Sequence, residues 1–321
     1  MKFTCTLAVV VLLIALLLPL VFGPANLADR IEATPSPAAS EITDADYEFT
    51  VLSDGTLETV TMADWLPGVL AGEMPVTFSD EAIKAQAVAA RTYIMSKCGM
   101  TTPAHPDADV CDDAGCCKAH LTEDELKANW GENYDNYWSR MCELAQKTDG
   151  QYLTYDDKPI QALFHSSSAG RTEDSGALWN AIPYLVSVES PETEADVPNF
   201  VSTVEVTVTD FAATLSEAGI EADLTATPDT WIGELRLDDS GRVAAAVIGG
   251  AEVEGGVLRD LFSLRSTAFT LEYINGDFLF TVTGYGHGVG MSQYGANVMA
   301  QDGSDYAQIL AHYYPGTSLR R

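Results

Sequence analysis

Positive charge is scarce in this chain. Its 321 residues hold 17 Lys and Arg against 47 Asp and Glu, a formal net charge of -30. Phosphate backbones are gripped by clusters of Lys and Arg, so no nucleic-acid partner is expected. Several signatures are also missing. No Gly-x-Ser-x-Gly elbow presents a serine nucleophile, and no glycine loop ends in Gly-Lys-Ser/Thr to cradle phosphate. There is no internal repeat and no coiled coil. No regular strand–helix–strand succession supports a doubly wound sheet. Apolar content, at 46%, is ordinary for a globular protein. The length allows one large domain or two moderate ones.

Residues 3–28 carry no charge, and Leu7 to Phe22 is almost purely apolar. That length lies between a signal-peptide core and a bilayer span. We expect residues 1–28 to be an N-terminal transmembrane anchor, with a cleaved signal as the alternative. Either places the body outside the cytoplasm, the first as a single-pass membrane protein. Residues 29–46, rich in Pro, Ala, Ser, Thr and acid, read as a flexible tether.

The body, residues 47–321, alternates hairpins and helices. Tyr47–Leu52 and Leu57–Val60 flank Asp54-Gly55, a hairpin turn. A short helix follows over Met62–Leu70. The strongest helix opens at Ser79, with Asp80 and Glu81 in its first turn, and runs over Ala82–Ser96. Glu123–Trp130 and Tyr134–Thr148 are helical. Gln151–Tyr155, Pro159–Phe164, 184–190 and Val204–Val208 are strand-like. Asp210–Ala218 and Gly255–Leu264 are helical. Two hairpins surround Asp238-Asp-Ser-Gly-Arg242 and Asn275-Gly276. Helices starting at Ser292 and Tyr306 end the chain. The expected fold class is α+β, mixed helices and β-hairpins, with a β-rich portion over 200–283.

Three segments carry unusual chemistry. Glu73, in Gly72-Glu-Met-Pro75, sits among Val69, Leu70, Met74, Val76 and Phe78. A carboxyl group in apolar surroundings has a raised pKa and can serve as a general acid. Arg91, on the alanine-rich helix, is either a ligand-orienting cation or a surface charge lying over small neighbours. His105, Cys111 and Cys117 offer three zinc ligands in a Pro/Asp/Gly loop that also holds Cys116 and His120. Cys98 and Cys142 bring the body's cysteines to five, an odd number. A Cys98–Cys142 bridge, a Cys98–Cys116 bridge, or two disulfides with one free thiol all fit that count. Finally, Phe164-His-Ser-Ser-Ser-Ala-Gly170 offers hydroxyls. Gly284 to Ala296 frames His287 with five glycines, where the backbone must turn tightly or approach a ligand closely.

Four blocks, Gly72-Glu-Met-Pro75, Glu81 to Tyr93, Phe164 to Gly170 and Gly286 to Ala296, together resemble the stage II sporulation protein D family. The resemblance implies a lytic transglycosylase that cuts peptidoglycan glycan strands stripped of stem peptides during endospore engulfment. It implies work beside a cell-wall amidase and a membrane partner. It gives Glu73 the catalytic acid/base position and Arg91 that of an active-site arginine. It places His165, Ser166, Ser167, His287, Ser292, Gln293 and Tyr294 along the glycan cleft. The His105, Cys111 and Cys117 spacing is similar to a family zinc loop, with Cys117 rather than Cys116 as ligand and the Zn2+ structural. The same domain occurs in amidase enhancers. A zinc-dependent amidase or a non-catalytic glycan-binding enhancer are therefore the alternative functions.

Overall fold

Asp80–Lys97 forms the central helix. Acids in its first turn and Lys97 in its last complement the helix dipole. Alanines at 82, 85, 87, 89 and 90 are all buried, so neighbours approach on nearly every side. Those neighbours are the helices Met62–Glu73, Tyr134–Lys147, Gln293–Gln301 and Tyr306–Tyr313. The computed structural model describes residues 42–100, 102–113 and 115–321, and Ile42–Arg321 form one compact unit.

Local rules explain most elements. Thr61 caps the first helix by accepting the Asp64 N–H, and Pro67 is accommodated inside it. Thr122 and Glu125 form a reciprocal capping box at Glu123–Trp130. The Asp54-Gly55 turn, with φ of 47° and 74°, joins antiparallel Glu48–Ser53 and Thr56–Thr61. Val110–Cys111 then adds in parallel, Leu52 facing Cys111.

A second hydrophobic core gathers Phe211, Trp231, Phe262, Phe278 and Phe280. It lies among two three-stranded sheets. One orders Phe269–Ile274, Asp277–Thr283 and Val201–Thr207; the other orders Ala251–Glu254, Val243–Ile248 and Ile232–Leu237.

Phe164–His165 pairs in parallel with Met291–Ser292, bringing the serine block and the glycine run together. Gly284, Gly286, Gly288 and Gly290 all have positive φ. Close approach adds a second requirement. A Cβ at Gly288 would lie 2.6 Å from Arg242 Cζ, and one at Gly290 would collide with the Leu163 carbonyl.

Several expectations change. Among the described residues no helix is long and apolar enough to cross a membrane. The described residues form mixed helices and hairpins, and the transmembrane helix and single-pass localisation expected before them find no support there. Residues 1–28, on which that expectation rested, lie outside the described residues. Residues 184–190 are not a strand, and only Glu189 makes a bridge, to Arg171. The strands Ala251–Glu254 and Ser318–Arg320 were not anticipated. All five body cysteines are free, so neither expected disulfide forms.

Candidate functional site

Glu73 ends the Met62–Glu73 helix. It is partly buried. Its carboxylate accepts the Ala119 N–H at 3.1 Å and the Gln293 amide at 3.4 Å. Burial raises its pKa above the ordinary value, while the charge of Lys118 and those two hydrogen bonds oppose the rise. The loss of hydration therefore outweighs the local stabilisation, and the protonated form survives to higher pH than in an exposed glutamate.

The contact with Ala119 depends on glycine. A Cβ at Gly72 would meet the Ala119 carbonyl at 3.2 Å, and one at Gly68 would collide with the His120 ring. His120 stacks on Trp65 with centroids 3.6 Å apart. Burial lowers its pKa to about 4. The 118–121 segment thus lies directly against the helix that carries Glu73.

The same loop builds a donor cluster. His105, Cys111, Cys116 and Cys117 place their ligand atoms within 4.8 Å of one another. The His105 Nδ1 hydrogen donates to the Ala108 carbonyl at 2.9 Å, which turns Nε2 towards the Cys117 sulfur, 3.2 Å away. A carbonyl that fixes the tautomer of a ligating imidazole is common support in metal sites. Asp113 organises the turn, its carbonyl accepting the Cys116 and Cys117 N–H groups at 3.0 and 2.8 Å. Burial pushes the Cys111 thiol up to about 12 and raises Cys117. A bound cation would reverse that preference by favouring thiolate. Three sulfurs and one nitrogen fit a tetrahedral metal ion. Cys116, expected to be spare, belongs to the set.

His287 and His165 are held neutral. The Val289 N–H donates to His287 Nδ1 at 3.1 Å, so Nε2 carries the hydrogen and donates to the Phe164 carbonyl. Burial, with the nearby Lys118 charge, lowers His287 to about 4. His165 is fully buried. Its Nδ1 faces the Val289 carbonyl and its Nε2 accepts from the Ser168 hydroxyl at 2.6 Å. Burial holds it well below the ordinary value. Neither ring is a ready proton donor at neutral pH.

Other expected residues divide by role. Gln293 reaches Glu73. Tyr294 packs edge-on against Phe78, with centroids 4.9 Å apart, and its N–H bonds the Ser166 carbonyl. Ser167 is buried and pairs with Tyr285. Ser292 caps the Gln293–Gln301 helix and donates to Glu192. Glu192 also accepts from the Ser168 N–H and the Ser190 hydroxyl. It is the buried post that ties the serine block to the last helices. Arg91 does not join Glu73. It is 1% exposed, and its guanidinium grips both Asp44 oxygens at 2.6 Å and the Gln151 carbonyl at 2.9 Å. Asp44, expected in an exposed tether, is 5% exposed.

Sequence reasoning missed Lys118 and Glu192, and it set Cys116 aside in favour of Cys117. Lys118 could have been noticed as a rare cation inside a suspected ligand loop. Glu192 has no signal separating it from the chain's many acids.

Behind the glycine run lies a buried charge cluster. Arg242 Nε is 3.8 Å from Glu173, and the Ser240 hydroxyl donates to Glu173 at 2.9 Å. Burial, with Asp238 beside it, raises Glu173 to about 7. The folded protein therefore keeps a proton that the unfolded chain releases near 4.5. The associated stability is complete below that pH and fades as pH rises through about 7. Urea midpoints measured from pH 4.5 to 8 should fall across this window, and Glu173→Gln should flatten the decline.

A half-buried carboxylic acid and a cluster of four His and Cys donors able to hold a metal ion define the class of site. Comparison with known proteins supplies the lineage. A family described as "Stage II sporulation protein" matches residues 53–155. The chain is 37% identical over 270 residues to "Stage II sporulation protein D" of Bacillus amyloliquefaciens, covering 83% of this chain and 76% of that protein. The Bacillus subtilis (strain 168) protein of the same name is 37% identical over 268 residues, covering 82% and 76%. An "Amidase enhancer" of Bacillus subtilis (strain 168) is 28% identical over 302 residues, 79% of this chain and 40% of that protein. The chain belongs to the stage II sporulation protein D family.

Proposed function

We propose that this protein acts on the glycan strands of cell-wall peptidoglycan during sporulation, alongside a cell-wall amidase. The names of its relatives support the sporulation and amidase associations most directly. The exposed Trp179, 5.9 Å from the His287 ring, offers an aromatic face for a sugar.

Glu73 carries the further reading, a lytic transglycosylase. Its raised pKa suits donation of a proton to the glycosidic oxygen between N-acetylmuramic acid and N-acetylglucosamine. As a carboxylate it then takes the proton of the muramic 6-hydroxyl, whose oxygen closes a 1,6-anhydro ring. One carboxyl group suffices because no water attacks, unlike the paired acids of hydrolases. The neutral, hydrogen-bonded His287 shapes the cleft rather than moving the proton.

The relative named an amidase enhancer favours a second reading, in which the protein binds glycan and stimulates an amidase without cutting. The donor cluster raises a third, a zinc-dependent amidase. Four protein donors favour a closed, structural zinc site over a catalytic one with an open position. The readings separate by product. Full-length protein is incubated with amidase-treated and untreated peptidoglycan, and the soluble material is identified by mass. Anhydromuramic ends support transglycosylation. Retention on the wall with faster peptide release by added amidase supports enhancement. Chelator-sensitive peptide release by the protein alone supports an amidase.

Zinc should bind one ion per chain, as read by competition with a chromophoric chelator. Cys116→Ser should weaken it by more than roughly 100-fold, because even outer-shell changes cost 10–100-fold. Unchanged affinity would remove Cys116 from the ligand set.

A further inference from the structure

Lys118 lies close enough to Glu73 for the two charges to act on each other, yet it makes no direct pair with it. Acids greatly outnumber bases in this chain, and most described cations are paired, including Arg91, Arg140, Arg171, Arg242 and Arg320. Lys118 forms no ion pair and no hydrogen bond with any described residue. Its ammonium instead sits 3.7 Å from the centre of the Phe164 ring and 4.6 Å from that of Tyr93. Two aromatic faces hold the cation in place without consuming its N–H donors. The residue as a whole is partly buried, and the enclosure of its ammonium lowers its pKa to about 8 against the opposing pull of Glu73. The next residue, Ala119, donates to Glu73. The chain thus sets a fixed cation with free donors beside the candidate acid.

We propose that Lys118 recognises the lactyl carboxylate of N-acetylmuramic acid and so selects strands from which an amidase has removed the peptides. This rests on the glycan-directed reading above. In an intact strand the lactyl group is joined to the peptide through an amide and carries no charge. Amidase cleavage converts it to a carboxylate, once in every disaccharide. That carboxylate is the anion nearest the muramic glycosidic bond, so a cation next to the acid meets it when the bond lies at Glu73. Lys118 acts as a specificity residue and takes no part in proton transfer.

The test is binding by full-length Glu73→Gln protein, which removes the candidate acid and so preserves the ligands. The probes are a peptide-free tetrasaccharide of alternating N-acetylglucosamine and N-acetylmuramic acid, the same tetrasaccharide with its carboxylates amidated, and neutral chitotetraose. The acidic tetrasaccharide should bind about tenfold more tightly than the amidated one, the scale of one charge-assisted hydrogen bond. Added Lys118→Met should erase that ratio while leaving the amidated and neutral probes unaffected, which also reports an intact fold. Lys118→Arg should restore most of it. If Lys118→Met keeps the preference, or if all probes weaken together, Lys118 does not read the carboxylate and the proposal fails. If the parent binds none of the glycans, the glycan-directed reading itself falls, and this proposal with it.

Discussion

Glu73→Gln should keep the fold and lower cleavage of peptide-stripped glycan by about 10²- to 10⁴-fold, the usual contribution of a positioned acid or base. The replacement is close to isosteric, and its amide oxygen can still accept the Ala119 N–H. What it loses is the transferable proton. The raised pKa fixes the sign of two accompanying effects. Cleavage that needs protonated Glu73 should decline as pH rises through that pKa. Stability linked to Glu73 declines in the same direction, from the ordinary carboxylate range upward, because the unfolded chain releases its proton first. The glutamine variant should therefore match or exceed the parent in urea at neutral pH. A variant that cuts as fast as the parent would remove Glu73 as the acid, whereas no cutting by either protein would favour the enhancer reading.

Asp44→Ala should cost about 3–5 kcal/mol, the range for breaking a buried ion pair by removing one partner. The guanidinium of Arg91 is 1% exposed and has no water to replace the lost carboxylate. The pair also joins distant segments. Asp44 accepts the Gly150 N–H at 3.2 Å, its own N–H donates to Asp149 at 2.8 Å, and Arg91 reaches the carbonyls of Ala145 and Gln151. Joint replacement by Leu at 44 and Met at 91 should recover much of the loss, since apolar pairs of similar volume often substitute for buried ions. Denaturant midpoints decide the matter. A near-neutral Asp44→Ala would show that Arg91 does not depend on this partner.

Local signals made much of the fold legible. The hairpin turns Asp54-Gly55 and Asn275-Gly276 and the capping residues Thr61, Thr122 and Ser292 all act through neighbours a few positions away. The 184–190 segment shows where alternation misleads. Its backbone bonds to Thr172 and Gly170, with the Thr172 hydroxyl taking the Val188 N–H at 2.9 Å, so side chains replace most of a strand ladder. Arg91 was conspicuous, but its meaning depended on Asp44, 47 positions earlier. The candidate site followed the same division. Glu73, His105, Cys111 and Cys117 stood out by residue type and setting. Lys118 and Glu192 matter because of what folds around them, and nothing adjacent in the chain announces that.

The alternating glycines of 284–290 also make this stretch a vernier. Each bare position meets a different neighbour, the Ser167 carbonyl, the His165 side chain, the Arg242 guanidinium and the Leu163 carbonyl in turn. Between them stand Tyr285, His287 and Val289. Sliding the chain by one residue would drive those side chains into spaces that admit none, at several places at once. The segment can therefore drift in sequence more easily than in length: a substitution strains one contact, whereas an insertion or deletion misaligns the whole wall.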